Sequence, residues 1–390
     1  MFEGKFVFAQ LMAFASKYEF NKCVDRYDGN KKVRKFTCWN QFLCLCFGQL
    51  THRESLRDIV LCLSTDPSKL HHLGIQSKVR RSTFAKANEV RDWRIFADFA
   101  MVLIPEARAL YIEDEEFVLE LENTVYALDA TTIDLCLSVF KWAKFRKNKG
   151  AVKLHTLLDL RGSVPTFIWI TDGKVHDVNV LDVMEFEAGA IYVVDRGYVD
   201  FGRLYKIHMA KAFYVTRAKV NFQFRRLYSS TIDKEAGLLC DQVVRPTGKR
   251  PAAEYPEKIR RIKYRDKQTG KTYVFLTNNF ELPALMIAML YKYRWRIELF
   301  FKWIKQHLKV QVFWGESANA VKTQVWTAIC TYLLVAIIKK KMGIKKSLYT
   351  ILQILSVYAM DKTPVNELLA IKNYKAEHKE VSNQLSIFDF

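Results

Sequence analysis

The stretch Tyr291-Lys-Tyr-Arg294-Trp-Arg-Ile-Glu298-Leu-Phe-Phe-Lys-Trp-Ile-Lys305 carries polar and apolar side chains at helical spacing. At about 100° per residue, Tyr291, Arg294, Glu298 and Lys305 fall within about 60° of one another on one helix. The apolar residues of that helix fall together on the adjoining face: Leu290, Ile297, Phe300, Phe301, Ile304 and Leu308. This pattern predicts a partly sheltered Glu298 with Arg294 and Lys305 beside it. The plainer alternative is an Arg294–Glu298 pair on a solvated face, which contributes a few tenths of a kcal/mol.

Two aspartates elsewhere in the chain stand where a short apolar strand is predicted to end. Thr124-Val-Tyr-Ala-Leu128 leads to Asp129, and Ile191-Tyr-Val-Val194 leads to Asp195. A carboxylate inside an apolar stretch is costly to desolvate unless it is paired or binds a metal ion. Taken alone, each aspartate is better explained as a turn-forming or capping residue.

Taken together, Asp129, Asp195 and Glu298 have the chemistry that metal-dependent phosphodiester cleavage requires. Mg²⁺ prefers oxygen ligands in octahedral geometry and keeps some of its waters. Two such ions about 4 Å apart can activate an attacking oxygen and stabilise a leaving one. Arg294 and Lys305 are then candidates to hold or neutralise DNA phosphates.

The composition of the chain favours a polyanionic partner. Among 390 residues, 61 Lys and Arg stand against 41 Asp and Glu, which gives a formal charge of +20. Such an excess is typical of nucleic-acid binding, although charge alone does not exclude other polyanions or a membrane surface. The eight cysteines form no CxxC pair, which indicates a reducing compartment rather than a disulfide framework or a zinc site. The longest apolar run, residues 325–338, is short for a membrane span and predicts a buried core helix.

The predicted elements change character along the chain. Residues 1 to about 112 are predicted to be helical, with Thr37 capping one helix and a Thr51-x-x-Glu54 capping box opening another. Ser82 is predicted to begin a single long helix that continues past residue 96. Basic clusters flank these helices and suit either DNA binding or an ordinary solvated surface: Lys31, Lys32, Arg34, Lys35, Lys78, Arg80 and Arg81.

Strands and a second helical region follow. Short apolar runs predict strands at 124–128, 152–158, 164–170, 190–194 and 212–216, which indicates a mixed α/β domain. Residues 218–280 are polar and basic and end in a predicted hairpin, with arms at 259–265 and 271–276. From Pro283 onward the chain is predicted to be helical to about residue 370.

These motifs resemble the DDE transposases of bacterial insertion sequences, in particular insertion-sequence family four. That family's helix signature is Tyr, two residues, Arg, three residues, Glu, six residues, Lys, and Tyr291, Arg294, Glu298 and Lys305 match its spacing in full. The segments 128–133, 140–146, 153–155 and 194–198 are also similar to the family. The resemblance covers about residues 120 to 345, and the helical N-terminal part is similar to one branch of the family.

The resemblance implies an α/β fold, namely a ribonuclease-H-like catalytic core with a β-rich insertion, preceded by an all-helical DNA-binding domain. Asp129 is then expected on the first strand of the core and Asp195 just after the fourth. The implied division is residues 1–115 for the helical domain, 116–217 with 281–370 for the catalytic domain, 218–280 for the insertion and 371–390 for a tail.

The resemblance also implies an activity. We expect cut-and-paste transposition that depends on two Mg²⁺ ions, with Mn²⁺ able to substitute, held by the catalytic residues Asp129, Asp195 and Glu298. The expected partner is double-stranded DNA, as terminal inverted repeats and as target, bound by a homodimer in the bacterial cytoplasm at the nucleoid, with no membrane involved. Tyr291, Arg294 and Lys305 are expected to bind DNA or its phosphates.

Two alternatives remain open at this point. One is a metal-dependent DNA nuclease that lacks strand transfer, and the other is a non-enzymatic DNA-binding repressor from a decayed element. Excision through a hairpin intermediate is also open, because family members commonly stack an aromatic residue of the insertion, often Trp, on a flipped base. Residues 218–280 contain no Trp, and the candidates to replace it are Phe222, Phe224, Tyr228 and Tyr255.

Overall fold

A computed structural model describes residues 4–65, 67–75, 78–112, 121–146, 149–307 and 312–370. The chain divides into two compact units. The first comprises Met1–Glu113, Thr132–Val152 and Phe300–Ala376, and the described part of the second lies within Asp114–Thr131 and Lys153–Leu299. The predicted tail at 371–390 and the predicted apolar contact of Leu308 lie outside the described residues.

The helices of the described chain follow one another in this order: α1 (Val7–Met12), α2 (Lys17–Arg26), α3 (Cys38–Leu50), α4 (Leu56–Ser64), α5 (Pro67–His72), α6 (Arg81–Val90), α7 (Arg94–Tyr111), α8 (Phe201–Met209), α9 (Lys249–Glu254), α10 (Ala284–Tyr293), α11 (Trp295–His307), α12 (Ala318–Lys341), α13 (Leu348–Tyr358) and α14 (Val365–Ala370). The strands are β1 (Val125–Leu135), β2 (Lys144–Arg146), β3 (Lys149–Asp159), β4 (Val164–Asp172), β5 (Ile191–Val194), β6 (Phe213–Arg217), β7 (Phe224–Ser229), β8 (Leu238–Pro246), β9 (Ile259–Arg265) and β10 (Thr272–Thr277).

Helix α12 is the centre of the first unit. It packs against α1, α3, α6, α7 and α13, so that helices from both ends of the chain share one core. Leu333 and Ile337 are fully buried, and truncation of such a side chain to Ala typically costs about 2–5 kcal/mol. Of the described helices, α12 alone has the length and hydropathy of a membrane span, but 94% of its apolar window is buried inside the protein. The predicted core helix is therefore confirmed, although it is longer than the apolar run.

The N-terminal helices confirm one predicted cap and correct another. The Thr37 hydroxyl accepts a hydrogen bond from the Asn40 N–H at the start of α3, as predicted. The predicted capping box at Thr51 is wrong, because Thr51 ends α3 and its hydroxyl donates to the Phe47 carbonyl. Ser55, one step past the predicted box, caps α4 instead.

The predicted long helix from Ser82 is also wrong, because it is two helices. Arg91 has an extended backbone that ends α6, and the Asp92 carboxylate accepts hydrogen bonds from the Arg94 N–H and side chain at the start of α7. An aspartate that binds the backbone two residues ahead competes with helix continuation. The apolar spacing continues across this break, which is why periodicity alone does not reveal it.

The second unit is built on a sheet whose strand order is β4-β3-β1-β5-β6-β10-β9-β8-β7. All five strands predicted before residue 218 are present, and β1 and β3 are longer than predicted. β5 runs parallel to both β1 and β6, whereas β10 is antiparallel to β6. In the first unit, the short strand β2 pairs antiparallel with the first residues of β3.

Alternate residues of the central strands bury against helix α8. Tyr126 and Leu128 of β1 and Tyr192 of β5 share a hydrophobic cluster with Leu204 and Ile207 of α8. Helix α10 packs against β5 and β6, so these strands are covered by helices and their apolar runs are continuous. A rigid, fully buried strand pair is thereby available to position side chains at its ends.

The region 218–280 is rich in strands, as its composition predicts. The predicted hairpin is present as β9 and β10, with Arg265 opposite Thr272. The Asp266 carboxylate accepts three hydrogen bonds from Gln268 and Thr269 and so holds the turn. A buried Arg260–Asp241 ion pair joins β9 to β8. The two units are defined by compactness, whereas the predicted domains are defined by function. The predicted domain boundaries therefore stay predictions.

Candidate active site

The register of two parallel strands brings Asp129 and Asp195 together. Leu128 of β1 pairs with Val194 of β5, and each is followed at once by its aspartate. Neighbouring strands lie about 4.8 Å apart, so the two carboxylates occupy equivalent positions side by side. The prediction that Asp129 follows the end of a strand is wrong, because β1 continues to Leu135. Asp195 does follow the end of its strand and caps a short turn of 3₁₀ helix.

Arg294 connects two of the three predicted carboxylates. Its Nη1 donates to Asp129 Oδ2 at 3.0 Å, and its Nη2 donates to Glu298 Oε1 at 2.6 Å. The Arg294 side chain is 16% exposed, against 21% for Asp129 and 33% for Glu298. The Arg294–Glu298 pair therefore lies in a sheltered site together with Asp129, which weakens the alternative of a simple surface pair.

A break between two helices points Arg294 at the carboxylates. The predicted single helix is interrupted, since α10 ends at Tyr293 and α11 starts at Trp295, with Arg294 as the C-cap of α10. The Arg294 backbone is still in the right-handed helical region, and a tighter turn replaces one turn of α-helix there. Tyr291, Arg294 and Glu298 consequently remain on neighbouring turns, as their spacing predicts.

Tyr291 links the same helical pair to the second aspartate. Its hydroxyl donates to Asp195 Oδ1 at 3.1 Å, and its ring lies 5.1 Å from that of Phe275. The Arg294 guanidinium lies 5.7 Å from the centre of the Tyr291 ring. Burial raises the pKa of Tyr291 to about 12, so the hydroxyl stays a hydrogen-bond donor at neutral pH.

The two aspartates differ in their proton affinity. Burial raises the pKa of Asp129 to about 6; the Arg294 charge opposes this rise, and the nearby Glu298 and Asp195 charges add to it. Burial also acts to raise the pKa of Asp195, but backbone N–H groups, Arg294 and Tyr291 bring that pKa below its ordinary value. Three carboxylates that influence one another in this way form a strongly anionic site that requires cationic partners.

Lys305 belongs with the first unit. Its Nζ donates to the Thr132 carbonyl at 2.8 Å, and burial lowers its pKa, while the charge of Asp134 acts in the opposite direction. Lys305 therefore contacts the backbone of its own unit. That Lys305 binds a DNA phosphate stays a prediction.

The three carboxylates are candidate ligands for a divalent metal ion. Within the described ranges, no three His, Cys, Asp or Glu side chains lie together as a ready metal site. The chemistry of Asp129, Asp195 and Glu298 nevertheless suits a hard cation, since all three supply carboxylate oxygens. The Arg294 guanidinium lies between two of them and supplies positive charge there. The residues therefore fit a divalent cation in donor type, provided that Arg294 turns aside.

Tyr198 also lies in this neighbourhood. Among the residues that the structure describes, its buried hydroxyl has no hydrogen-bond partner, and neither has Arg294 Nε. Burial raises the pKa of Tyr198 strongly, with contributions from the charges of Asp129, Asp177 and Asp195. In the sequence, Tyr198 stands three residues after Asp195, at the end of the segment 194–198. The 3₁₀ turn between them keeps Tyr198 close to Asp195.

Two other residues have structural roles. His155 is fully buried, and its Nε2 lies 3.0 Å from the Thr171 hydroxyl. Trp142 is 39% exposed, and its indole N–H donates to the Glu316 carbonyl. Among the aromatic candidates of the insertion, Tyr255 is fully buried and cannot stack on a base, whereas Tyr228 is 62% exposed.

Comparison with known families gives two matches. A family model described as the transposase DDE domain matches residues 120–334, which is more than half of the chain and contains the whole candidate site. A second family, a domain of unknown function (DUF4372), matches residues 3–76, within the N-terminal helices.

Individual relatives carry related names. The chain is 36% identical over 214 residues to a putative transposase, y4zB, of Sinorhizobium fredii, and 28% identical over 213 residues to a probable transposase for insertion sequence element IS5377 of Geobacillus stearothermophilus. These matches cover 54% and 53% of this chain and 59% and 54% of the relatives, so the chain spans little more than half the length of either. A putative transposase for insertion sequence element IS4SA of Synechocystis is 24% identical over 66% of this chain and 71% of the relative.

One solved structure is similar over much of its length. It is a piggyBac transposase in a synaptic complex with hairpin DNA, with a TM-score of 0.47 and 9% sequence identity, covering 94% of this chain and 82% of that chain. A score at this level is too low to assign a common fold.

Proposed function

This chain belongs to the family of DDE transposases, and from that premise we propose that it catalyses cut-and-paste transposition of an insertion sequence. The proposed catalytic residues are Asp129, Asp195 and Glu298. The observation that carries the proposal is their convergence: two come from equivalent positions on neighbouring parallel strands, and Arg294 and Tyr291 connect all three. These residues are separated by up to 169 positions (298 − 129), and a purely structural cluster has no need of three mutually repelling carboxylates.

The proposal includes a ribonuclease-H-like core and membership of insertion-sequence family four. The strand order β4-β3-β1-β5-β6, with β1, β5 and β6 parallel, supports that core. The spacing of Tyr291, Arg294, Glu298 and Lys305 supports the subgroup, as does a relative named for an IS4-type element. The strands of residues 218–280 then constitute the β-rich insertion.

Membership of the family implies dependence on a divalent metal ion, and we propose Mg²⁺, in two ions, with Mn²⁺ able to substitute. Asp129, Asp195 and Glu298 would hold it. When bound, such ions lower the pKa of an attacking water and stabilise the oxygen that leaves phosphorus. Asp129, with a pKa near 6, is the carboxylate that depends most on a cationic neighbour to remain ionised at neutral pH.

The reaction itself consists of two substitutions at phosphorus. In cleavage, a water oxygen bonds to phosphorus, the bond to the 3′ oxygen breaks, and that oxygen takes up a proton as a 3′-hydroxyl. In joining, the 3′-hydroxyl loses its proton and bonds to a target phosphorus, the bond from that phosphorus to the target's own 3′ oxygen breaks, and the released oxygen takes up a proton. Arg294 can pair bidentately with a phosphate once it turns from the carboxylates, and Tyr291 holds Asp195 in place through its hydroxyl. Lys305 is proposed to neutralise a neighbouring phosphate.

The proposed partner is double-stranded DNA, in the form of terminal inverted repeats and target. We propose that a homodimer acts on paired ends in the bacterial cytoplasm, where the helical N-terminal region recognises the repeat. The net charge of +20 supports DNA as the partner. Tyr228 of the insertion is exposed enough to stack on a flipped base if excision passes through a hairpin.

The test uses Asp129→Ala, Asp195→Ala and Glu298→Ala on a plasmid that carries the element with its own ends. Each variant should lose Mg²⁺-dependent cleavage by several orders of magnitude while it binds the ends as wild type does. Asp134→Ala is the matched control, because Asp134 is an exposed carboxylate on the same strand as Asp129. Normal cleavage by any of the three variants removes that residue from the proposed site.

A second arm separates transposition from its rivals. Pre-cleaved ends with a free 3′-hydroxyl are supplied with a target plasmid, and insertion is scored. Cleavage without insertion would identify a nuclease, and binding without either reaction would identify a DNA-binding repressor.

A further inference from the structure

A groove of about 730 Å³ lies in the helical unit between residues 27–33 and helix α6. Its walls include Lys31 and Val33 on one side and Ser82, Thr83 and Lys86 on the other. We refer to this surface, together with its rim at residues 34–35 and 78–81, as the basic groove. None of its residues belongs to the candidate active site.

The charge around the basic groove is predominantly positive. The lining contains two acidic residues, Asp28 and Asp92, and Asp92 is paired with Arg94. Residues 28–35 and 78–86 carry eight basic side chains, all exposed, against Asp28 alone. They are Lys31, Lys32, Arg34, Lys35, Lys78, Arg80, Arg81 and Lys86. A concentration of like charge costs folding free energy through self-repulsion, which points to an anionic partner.

Several of these cations lack a carboxylate to neutralise them. Lys31 pairs with Asp28 at 3.2 Å and Lys86 pairs with Glu89 at 3.1 Å. Within the part of the chain that the structure describes, the following four form no ion pair: Lys32, Arg34, Arg80 and Arg81. Their charge is therefore available to a ligand.

Buried contacts fix the two walls of the basic groove relative to each other. The rings of Phe36 and Phe84 pack edge to face at 5.6 Å. The buried Arg91 guanidinium donates to the Phe36 carbonyl and to Gln41 Oε1, and it lies 5.5 Å from the Phe36 ring. The cations on both rims are thus held by a rigid base and need little reorganisation to meet a rigid ligand.

We infer that the basic groove binds the sugar–phosphate backbone of double-stranded DNA. This inference rests on the proposed function, and it assigns the protein's contact with DNA to one surface. Exposed Ser82 and Thr83 at the first turn of α6 follow Arg80 and Arg81 directly, and their hydroxyls can donate to phosphate oxygens. The N-cap residue of α6, Arg80, makes no side-chain cap hydrogen bond, so backbone N–H groups at that end can also donate to a phosphate oxygen. Small side chains on this turn allow the helix to approach a duplex closely.

The test compares two variants with the same change in net charge. The groove variant is Lys32→Gln, Arg34→Gln, Arg80→Gln and Arg81→Gln; the control variant is Lys5→Gln, Lys17→Gln, Arg57→Gln and Lys345→Gln, at exposed positions elsewhere in the same unit. Binding of a fluorescein-labelled random duplex is measured by anisotropy over a KCl titration. Because each phosphate contact adds about 0.9 to the slope of log K against log [KCl], the groove variant should lose about 2–4 from that slope and bind at least tenfold more weakly. The control variant should stay within about twofold of wild type.

Equal behaviour of the two variants would overturn the inference. Poly-L-glutamate serves as a competitor. If it displaces DNA when its carboxylates are at the same concentration as the DNA phosphates, the ligand is an acidic protein and the inference of DNA is overturned. If the groove variant does not fold, acetylation of Lys31 and Lys32 in the wild-type chain, with and without duplex, is measured by mass spectrometry. Protection by DNA supports the inference, and unchanged acetylation refutes it.

A failure of this inference can be distinguished from a failure of the proposed function. Metal-dependent cleavage by wild type together with unchanged DNA binding by the groove variant would refute only the assignment of this surface. Loss of DNA binding in the groove variant together with no cleavage by wild type would refute only the transposase activity.

Discussion

Replacement of Arg294 by Gln should destabilise the protein in the absence of metal, and divalent cations should reverse most of that loss. Arg294 is the shared cationic partner of Asp129 and Glu298, at 3.0 and 2.6 Å. At an effective dielectric constant near 20, a pair about 4 Å apart gains roughly 4 kcal/mol of Coulomb energy, which desolvation of the guanidinium offsets in part. Removing one partner of a buried pair typically costs about 3–5 kcal/mol. Because the carboxylates are 21% and 33% exposed, we expect a loss of about 2–3 kcal/mol.

A divalent cation should take over the role of the lost guanidinium. Arg294 competes with metal for the oxygens of Asp129 and Glu298, so the variant should bind Mg²⁺ more tightly than wild type in the absence of DNA. A ligand at about 100 times its dissociation constant stabilises the folded state by about 2.7 kcal/mol. The difference in free energy of unfolding between wild type and Arg294→Gln should therefore fall below about 1 kcal/mol in saturating MgCl₂.

Urea denaturation followed by circular dichroism, in EDTA and in MgCl₂, measures both quantities without relying on catalysis. Arg260→Gln is the matched control, because Arg260 forms a buried pair with Asp241 in the same unit. That variant should lose stability equally with and without Mg²⁺. A deficit of Arg294→Gln that Mg²⁺ leaves unchanged would refute the argument that guanidinium and metal serve the same carboxylates.

Two further predictions concern stability. A Cβ added at Gly237, where φ is +90°, would lie 2.5 Å from the Arg265 carbonyl oxygen, whereas a Cβ at Gly270, where φ is +70°, would meet open space. Gly270→Ala should therefore lower the free energy of unfolding by about 1 kcal/mol, and Gly237→Ala by about 1–2 kcal/mol more. Chemical denaturation measures both values. Burial, with help from Lys153, lowers the pKa of His155 from 6.5 to about 4, so the unfolded chain takes up this proton first as the pH falls. The contribution of neutral His155 to the free energy of unfolding is complete above pH 6.5 and is lost towards pH 4, by up to about 3 kcal/mol. The free energy of unfolding of His155→Gln should therefore depend less on pH between 6.5 and 4.

Local patterns in the sequence were sufficient for much of the fold. The hairpin of β9 and β10 and the buried character of α12 follow from periodicity and turn residues, which act over a few positions. The polar stripe of Tyr291, Arg294 and Glu298 is also local, because a helix places residues three and four apart on one face. The three carboxylates could be proposed from the sequence because each lies beside an apolar run and because their segments resemble one family. Taken alone, each aspartate is better explained as a turn-forming or capping residue.

Errors arose where two local preferences compete. The helix around Ser82 breaks at Asp92, because a carboxylate that binds its own backbone outweighs apolar spacing that continues undisturbed. Ser55 rather than Thr51 caps α4, since both hydroxyls suit a cap and the end of α3 decides which one is available. Strand β1 passes beyond Asp129 although β5 ends at Val194, opposite Leu128. Its other neighbour, β3, is as long as β1, and a strand's length depends on such partners.

What the sequence alone determined about this protein is the identity of its acidic and basic side chains and the elements that carry them. Only the tertiary structure decided that Leu128 pairs with Val194, and so that Asp129 and Asp195 lie side by side. It alone decided that Arg294, at a break between helices, lies between Asp129 and Glu298, and that α12 closes a bundle with helices from the other end of the chain. The physical reason is that strand register and helix packing are set by burial between residues far apart in the chain, such as Leu128 and Val194 (194 − 128 = 66 positions) or Asp129 and Arg294 (165 positions). A short sequence pattern does not specify which distant surface will cover a given strand or helix.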